Sequence, residues 1–178
     1  EITLEAPQYP TPLGMHIYIN DFGDANPHDI KNINLMNHYV GMKYIPDAIP
    51  EFKIFPYGIV ITTVIGLIIG IMGNHKWYLY WFIMMVMVST AGLIDFYIWE
   101  HDYGHNLDPN AILKFTNEDG TPMGFQPPFF GTKHILNFTA HSYPRLGAYF
   151  LALGIALGLA AYLVGKKEKE TKTIGVKK

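Results

Sequence analysis

Three long apolar stretches constrain this chain more than anything else in its sequence. Tyr57 to Gly73 carries no charged side chain, Trp77 to Trp99 carries only Asp95, and Leu146 to Gly165 carries none. Each is near the roughly 17–25 residues with which an α-helix crosses the hydrocarbon core of a bilayer. Burying all three in a water-soluble fold fails on surface area, because a chain this short has too little polar sequence to cover them. Whole-chain averages conceal the pattern: 49% hydrophobic and 16% charged, with a mean hydropathy of +0.12. Trp77, Tyr78, Tyr80 and Trp81 at one end of the second stretch, and Tyr97 and Trp99 at the other, match the aromatic belt of a membrane interface.

Charge orients these stretches. Residues 1–54 hold seven acids against three lysines, and residues 100–143 hold five against two. The tail from Lys166 holds six lysines and two glutamates, and Asn74-His75-Lys76 separates the first two stretches. Lysine and arginine accumulate on the cytoplasmic side. The expected order is an outer segment 1–54, a helix over 57–73, a helix over 77–99, an outer loop 100–143, a helix over 145–165 and a basic cytoplasmic tail 166–178. The expected fold class is an all-α membrane protein of the bacterial inner (cytoplasmic) membrane, with most polar mass on the periplasmic side. The 1–54 segment and the 100–143 loop are expected to pack together as a small irregular or β outer subdomain. An outer segment that starts at Glu1 requires either a processed signal peptide or a membrane helix ahead of it.

Local signals refine this outline. Pro7, Pro10 and Pro12 favour an extended start. Met15 to Asn20 reads as a short strand, Phe22 to Pro27 as a turn, and Asp29 to Met42 as a short helix with Asp29 at its N-cap. Glu118-Asp119-Gly120 is a turn. Thr132 to Thr139 is expected along the membrane surface, and Pro144 opens the last helix. Gly66 with Gly70, and Gly154 with Gly158, offer small-residue faces for close helix approach. Met72, Met84, Met85 and Met87 read as gap fillers between helices rather than a metal path.

Chemistry concentrates where the second apolar stretch ends. Asp95, Glu100, His101, Asp102, Tyr103, His105 and Asp108 form a polar knot there, and Asp95 is expected to be paired within the bundle or at its outer edge rather than lipid-facing, since an acid at a membrane helix is costly. Metal-ligand types occur as Met15 with His16, as Met36, His38 and Met42, and as His105. Mixed histidine and thioether sets suit copper. The competing reading has Asn34, Asn37 and Tyr39 as a hydrogen-bonded packing motif and the knot histidines held by Asp95, Asp102 or Asp108. With no cysteine, disulfides, thiolate metal sites, iron–sulfur ligands and covalent c-type haem are excluded. No nucleophile–base arrangement, phosphate loop or complete metal triad stands out, so neither an enzyme nor a nucleic-acid partner is expected.

Several motifs carry a family likeness: Glu5-Ala-Pro-Gln-Tyr-Pro10, Asn37-His-Tyr-Val-Gly-Met42, Asp95-Phe-Tyr-Ile-Trp-Glu100, Asp102-Tyr-Gly-His-Asn106, Gln126-Pro-Pro128, and Gly131-Thr-Lys133 with Leu136-Asn-Phe138. Over Glu1 to Gly165 the chain resembles a small integral-membrane protein encoded in nitrous-oxide reductase gene clusters, beside genes for copper-site maturation. The resemblance implies a fourth membrane helix directly ahead of the first motif. It implies an accessory protein that supports a periplasmic copper enzyme, by binding the enzyme or its maturation proteins or by assisting copper delivery, with membrane lipid around it. The alternative is a structural or electron-transfer-linked subunit of a membrane complex with no metal site of its own. That family favours tyrosine where this chain has His101, which shifts the weight to His105, Asp95 and His38.

Overall fold

The computed structural model describes residues 1–176. The elements are β1 (Ile2–Glu5), β2 (Leu13–Ile17), β3 (Phe22–Asp24), α1 (Asp29–Val40), α2 (Pro50–Met72), α3 (His75–His105), β4 (Gly131–Ile135), β5 (Phe138–Ser142) and α4 (Leu146–Val176). They divide into two compact units. A polar unit comprises Glu1–Phe55 and Ile94–Tyr143; an apolar unit comprises Pro56–Leu93 and Pro144–Lys178, described as far as residue 176. Among the described residues, three helices are long and apolar enough to cross a membrane: Pro50–Met72, His75–His105 and Leu146–Ile174.

The polar unit is built on a five-stranded antiparallel sheet in the order β3-β2-β1-β5-β4. The first strand of the chain lies at its centre. Ile2 and Leu4 pair with Met15 and Leu13 on one side and with Ser142 and Ala140 on the other. Side chains alternate along a strand, so Ile2, Leu13, Met15 and Ala140 are buried on one face, while Thr3 and Glu5 fall on the other. Helix α1 adds Ile33 to the same core, with Ile45 and Tyr103. Burying each such side chain stabilises the unit by roughly 1.5–3 kcal/mol. The expected packing of 1–54 against 100–143 is therefore realised as strand pairing between β1 and β5.

Other expectations are corrected. The strand expected over Met15 to Asn20 is Leu13–Ile17, because β1 sets its register. Thr132 to Thr139 forms no surface segment; it belongs to the β4–β5 hairpin, turned by Leu136 at φ 55°. Helix α1 ends near the expected point, with Gly41 in the left-handed conformation and its N–H donated to the Asn37 carbonyl. His28, at φ 72°, holds the N-cap position instead of Asp29. Asp29 acts from the first turn: its Oδ2 accepts hydrogen bonds from Gly14 N (2.8 Å), Asn26 N (2.9 Å) and Asn26 Nδ2 (3.1 Å). It thereby ties the strand, the turn and the helix together at one buried carboxylate. All three long helices outrun their apolar stretches. The basic tail from Lys166 continues α4 to Val176, and residues 177–178 lie outside the described residues.

In the apolar unit the small-residue faces do different work from that expected. The Trp81 ring lies against Gly66 and Gly158, where an added Cβ would come within 3.1 Å and 2.9 Å of it, while Gly70 and Gly154 have nothing within 4 Å. The glycines thus accept an indole rather than a neighbouring helix backbone. Trp81 Nε1 donates a long hydrogen bond, 3.5 Å, to the Thr62 carbonyl.

Candidate functional site

Helix α3 runs for 31 residues, about 46 Å at 1.5 Å per residue. That exceeds the roughly 30 Å of a hydrocarbon core. Its final turns, beyond the apolar run that ends at Trp99, belong to the polar unit. Gly104 sits in the last turn without breaking the helix. It is required there, because a Cβ at this position would collide with the backbone of Gln126, and Phe125 N donates to the Gly104 carbonyl at 2.8 Å.

Phe96, Glu100 and Tyr103 recur at i, i+4 and i+7 and share one face of α3. Tyr103 is buried, stacks on Trp99 with ring centroids 4.9 Å apart, accepts a hydrogen bond from Asn37 Nδ2 (3.0 Å) and donates its hydroxyl to the Lys43 carbonyl. Burial raises its pKa, with the Asn37 bond opposing. Asn37 and Tyr103 thus lock α1 to α3. Glu100 is 1% exposed, and neither of its carboxyl oxygens has a hydrogen-bond partner among the described residues. Desolvation pushes this carboxyl up to about 7, with the Gln126 side chain and the Lys133 charge opposing the shift.

Glu100, Asn37 and Tyr103 line a cavity of about 350 Å³ within the polar unit. Ile2, Leu4, Val40, Phe115, Phe125 and Phe138 contribute apolar wall. Met15, Met36 and Met42 also line it. This gathers the three candidate thioethers around one space, bringing Met15 of β2 to Met36 and Met42.

The histidines do not join them. His38 lies on the exposed face of α1, stacked on Tyr44 with centroids 6.0 Å apart. His16, on the face of β2 opposite Met15, has Nδ1 3.4 Å from a Glu1 carboxyl oxygen. His105 is exposed; its ring stacks on that of His101 at 4.2 Å, and its Nδ1 lies 3.0 Å from the His101 carbonyl. None of the three lines the cavity. Among the described residues no group of three or more histidine and acidic side chains converges to hold a metal ion.

The polar knot also separates into inward and outward parts. Asp95, expected to be paired, is exposed and shows no hydrogen bond or ion pair among the described residues; the buried acid is Glu100. Asp102 is exposed and salt-bridged to Lys43 at 3.0 Å, and that lysine holds its carboxyl below the usual value. Asp108 Oδ1 accepts from Asn110 N at 2.8 Å, and its own N–H donates to the Gly41 carbonyl. The knot histidines are held by stacking and a backbone carbonyl rather than by these acids.

Around His38 the surface is apolar and aromatic. Leu35, Tyr39 and Tyr44 are exposed beside it, and Leu113 N donates to the Tyr39 carbonyl at 2.8 Å, bringing exposed Ile112 and Leu113 to the same end of α1. Compared with protein-family models, curated proteins and solved structures, the chain matches none.

Proposed function

We propose that this chain is an accessory integral-membrane protein of a bacterial inner membrane that supports a periplasmic copper enzyme of the nitrous-oxide reductase kind by binding it. The polar unit faces the periplasm and does the binding; the three long helices hold it at the membrane. The charge asymmetry and the motif resemblance support the setting. The observation that carries the reading is the exposed patch of Leu35, His38, Tyr39, Tyr44, Ile112 and Leu113 on a unit that already has a core of its own. Exposed aromatic and aliphatic side chains grouped on a folded unit are what a protein-binding surface presents. His38 then contributes as a stacked ring within a docking surface. Copper delivery is the weaker form of the idea, because the histidines and thioethers do not meet.

Purification of the tagged chain from gently solubilised native membranes tests this. The copper enzyme, or one of its maturation proteins, should co-purify with the parent and be lost with Leu35→Asp or Tyr39→Asp at unchanged abundance of the chain. Retention of the partner by both variants would overturn the assignment of the surface. A partner that is stoichiometric and resists salt and detergent would favour the second reading, a permanent subunit of a membrane complex.

A further inference from the structure

Glu100 poses a problem that the polar unit does not solve by itself. Its side chain is buried and neither carboxyl oxygen has a hydrogen-bond partner among the described residues, while on the same cavity wall the Asn37 amide nitrogen donates to the Tyr103 hydroxyl and that hydroxyl donates to the Lys43 carbonyl. Proteins rarely bury a polar group unsatisfied, because the lost hydration is not repaid. The cavity before it has the size of a small-molecule site and is mostly apolar, with Gln8 and Asn137 also on its lining and Glu100 as its buried acid without a hydrogen-bond partner. Such a site orients a ligand by its few polar groups and holds it by contact area.

We propose that this cavity binds a neutral, largely apolar molecule bearing a hydroxyl on an aromatic ring, with Glu100 as the acceptor of that hydroxyl. The chemistry follows from the wall. Among the described residues no lysine, arginine or histidine lines the cavity, so an anionic head group would find no opposing charge there and would face the Glu100 carboxyl. An ammonium head would need further acceptors to satisfy its remaining protons. A hydroxyl needs one acceptor, which a carboxyl provides in either protonation state. Trp99 stacked on Tyr103, and Phe115 set edge-on to Phe125 at 6.0 Å, surround the space with ring faces and edges suited to an aromatic guest. The inference does not rest on the docking surface, and failure of either leaves the other standing.

The test uses the full chain in lipid nanodiscs, titrated calorimetrically with para-hexylphenol, hexylbenzene, para-hexylbenzoate and phenol, with empty nanodiscs subtracted. Para-hexylphenol should bind about tenfold or more tighter than hexylbenzene, the size expected for one hydrogen bond to a buried group otherwise left unpaired. Glu100→Leu should abolish the difference, and Glu100→Gln, which keeps an acceptor, should retain most of it. Weak binding of phenol beside strong binding of para-hexylphenol would support a ligand drawn from the lipid phase; equal binding would support a water-borne aromatic. Equal affinity for para-hexylphenol and hexylbenzene in the parent overturns the proposal without reference to any variant, as does failure of both to bind. Preference for para-hexylbenzoate overturns it as well. Tight copper(I) binding that excludes para-hexylphenol and is lost in Glu100→Gln would assign the cavity to a soft cation instead.

Discussion

The two units treat the same kinds of side chain in opposite ways. In the polar unit Ile2, Leu13, Met15 and Ile33 are all less than a tenth exposed. In the apolar unit Ile61, Leu67, Ile71, Leu146 and Phe150 are all more than half exposed, and the most apolar window of each long helix is only 6% buried. The polar unit achieves its burial through pattern: alternation on β1 and β2, and a helical stripe on α1. The long helices are apolar all round, so no arrangement of three of them can bury every face. A surface of that composition calls for apolar surroundings. The polar unit makes its own interior, whereas the apolar unit is designed for an external one.

The largest expected effect comes from Gly104→Val. Its side chain would be driven into the Gln126 backbone, destabilising the polar unit by more than about 3 kcal/mol. Protease sensitivity of the 106–130 segment should rise sharply while helical circular dichroism from the apolar unit persists. Loss of both signals together would break the comparison, because the units would then be a single cooperative one.

Next in size is the pH response set by Glu100. Its carboxyl is raised from 4.5 to about 7 in the folded chain, so the folded state keeps a proton that the unfolded chain releases in between. The contribution of this group to stability is therefore greatest below 4.5, falls as pH rises, and flattens above about 7. The total loss is about 3 kcal/mol. Unfolding midpoints of the polar unit measured across that window should slope downward for the parent and stay level for Glu100→Gln. A level parent profile would mean that the carboxyl is solvated or paired.

Asp29→Ala removes the acceptor for three donors near the β2–α1 junction and should cost the polar unit about 2 kcal/mol, read from the same midpoints. In the apolar unit, Gly158→Ala places a methyl group 2.9 Å from the Trp81 ring; the indole must shift, at about 1 kcal/mol. A change in Trp81 fluorescence with an unaltered polar unit would sharpen the division. Smallest of all, Asp95→Asn should change stability by less than about 0.5 kcal/mol or raise it, since the carboxylate has no partner among the described residues to lose and a charge within an apolar run is costly. A large loss there would show that Asp95 is paired by something outside this chain.

How far these features are legible without coordinates differs by region. The three long helices can be read directly, with each span six to eleven residues short at one end, because charge-free composition ends before the helical hydrogen bonding does. The sheet is harder. Ile2–Glu5 is central but gives little strand signal, and its two partners come from residues 13–17 and 138–142. The distinction between Asp95 and Glu100 was available in principle. Asp95 shares its helical phase with exposed Asp102, whereas Glu100 shares its own with Phe96 and Tyr103, so period rather than depth in the apolar run indicated which acid turns inward.

By itself the sequence determined that this chain has three helices apolar on every side, an acidic pair of polar segments and a lysine-rich tail. Those properties are local, and each is decided by composition within one stretch of chain. Only the tertiary structure decided that Met15, Met36, Met42, Asn37, Glu100 and Tyr103 border one cavity and that His16, His38 and His105 do not. Contacts between residues so distant along the chain depend on strand register and on the phase of α1 and α3, where a shift of one residue turns a side chain from the core to the surface.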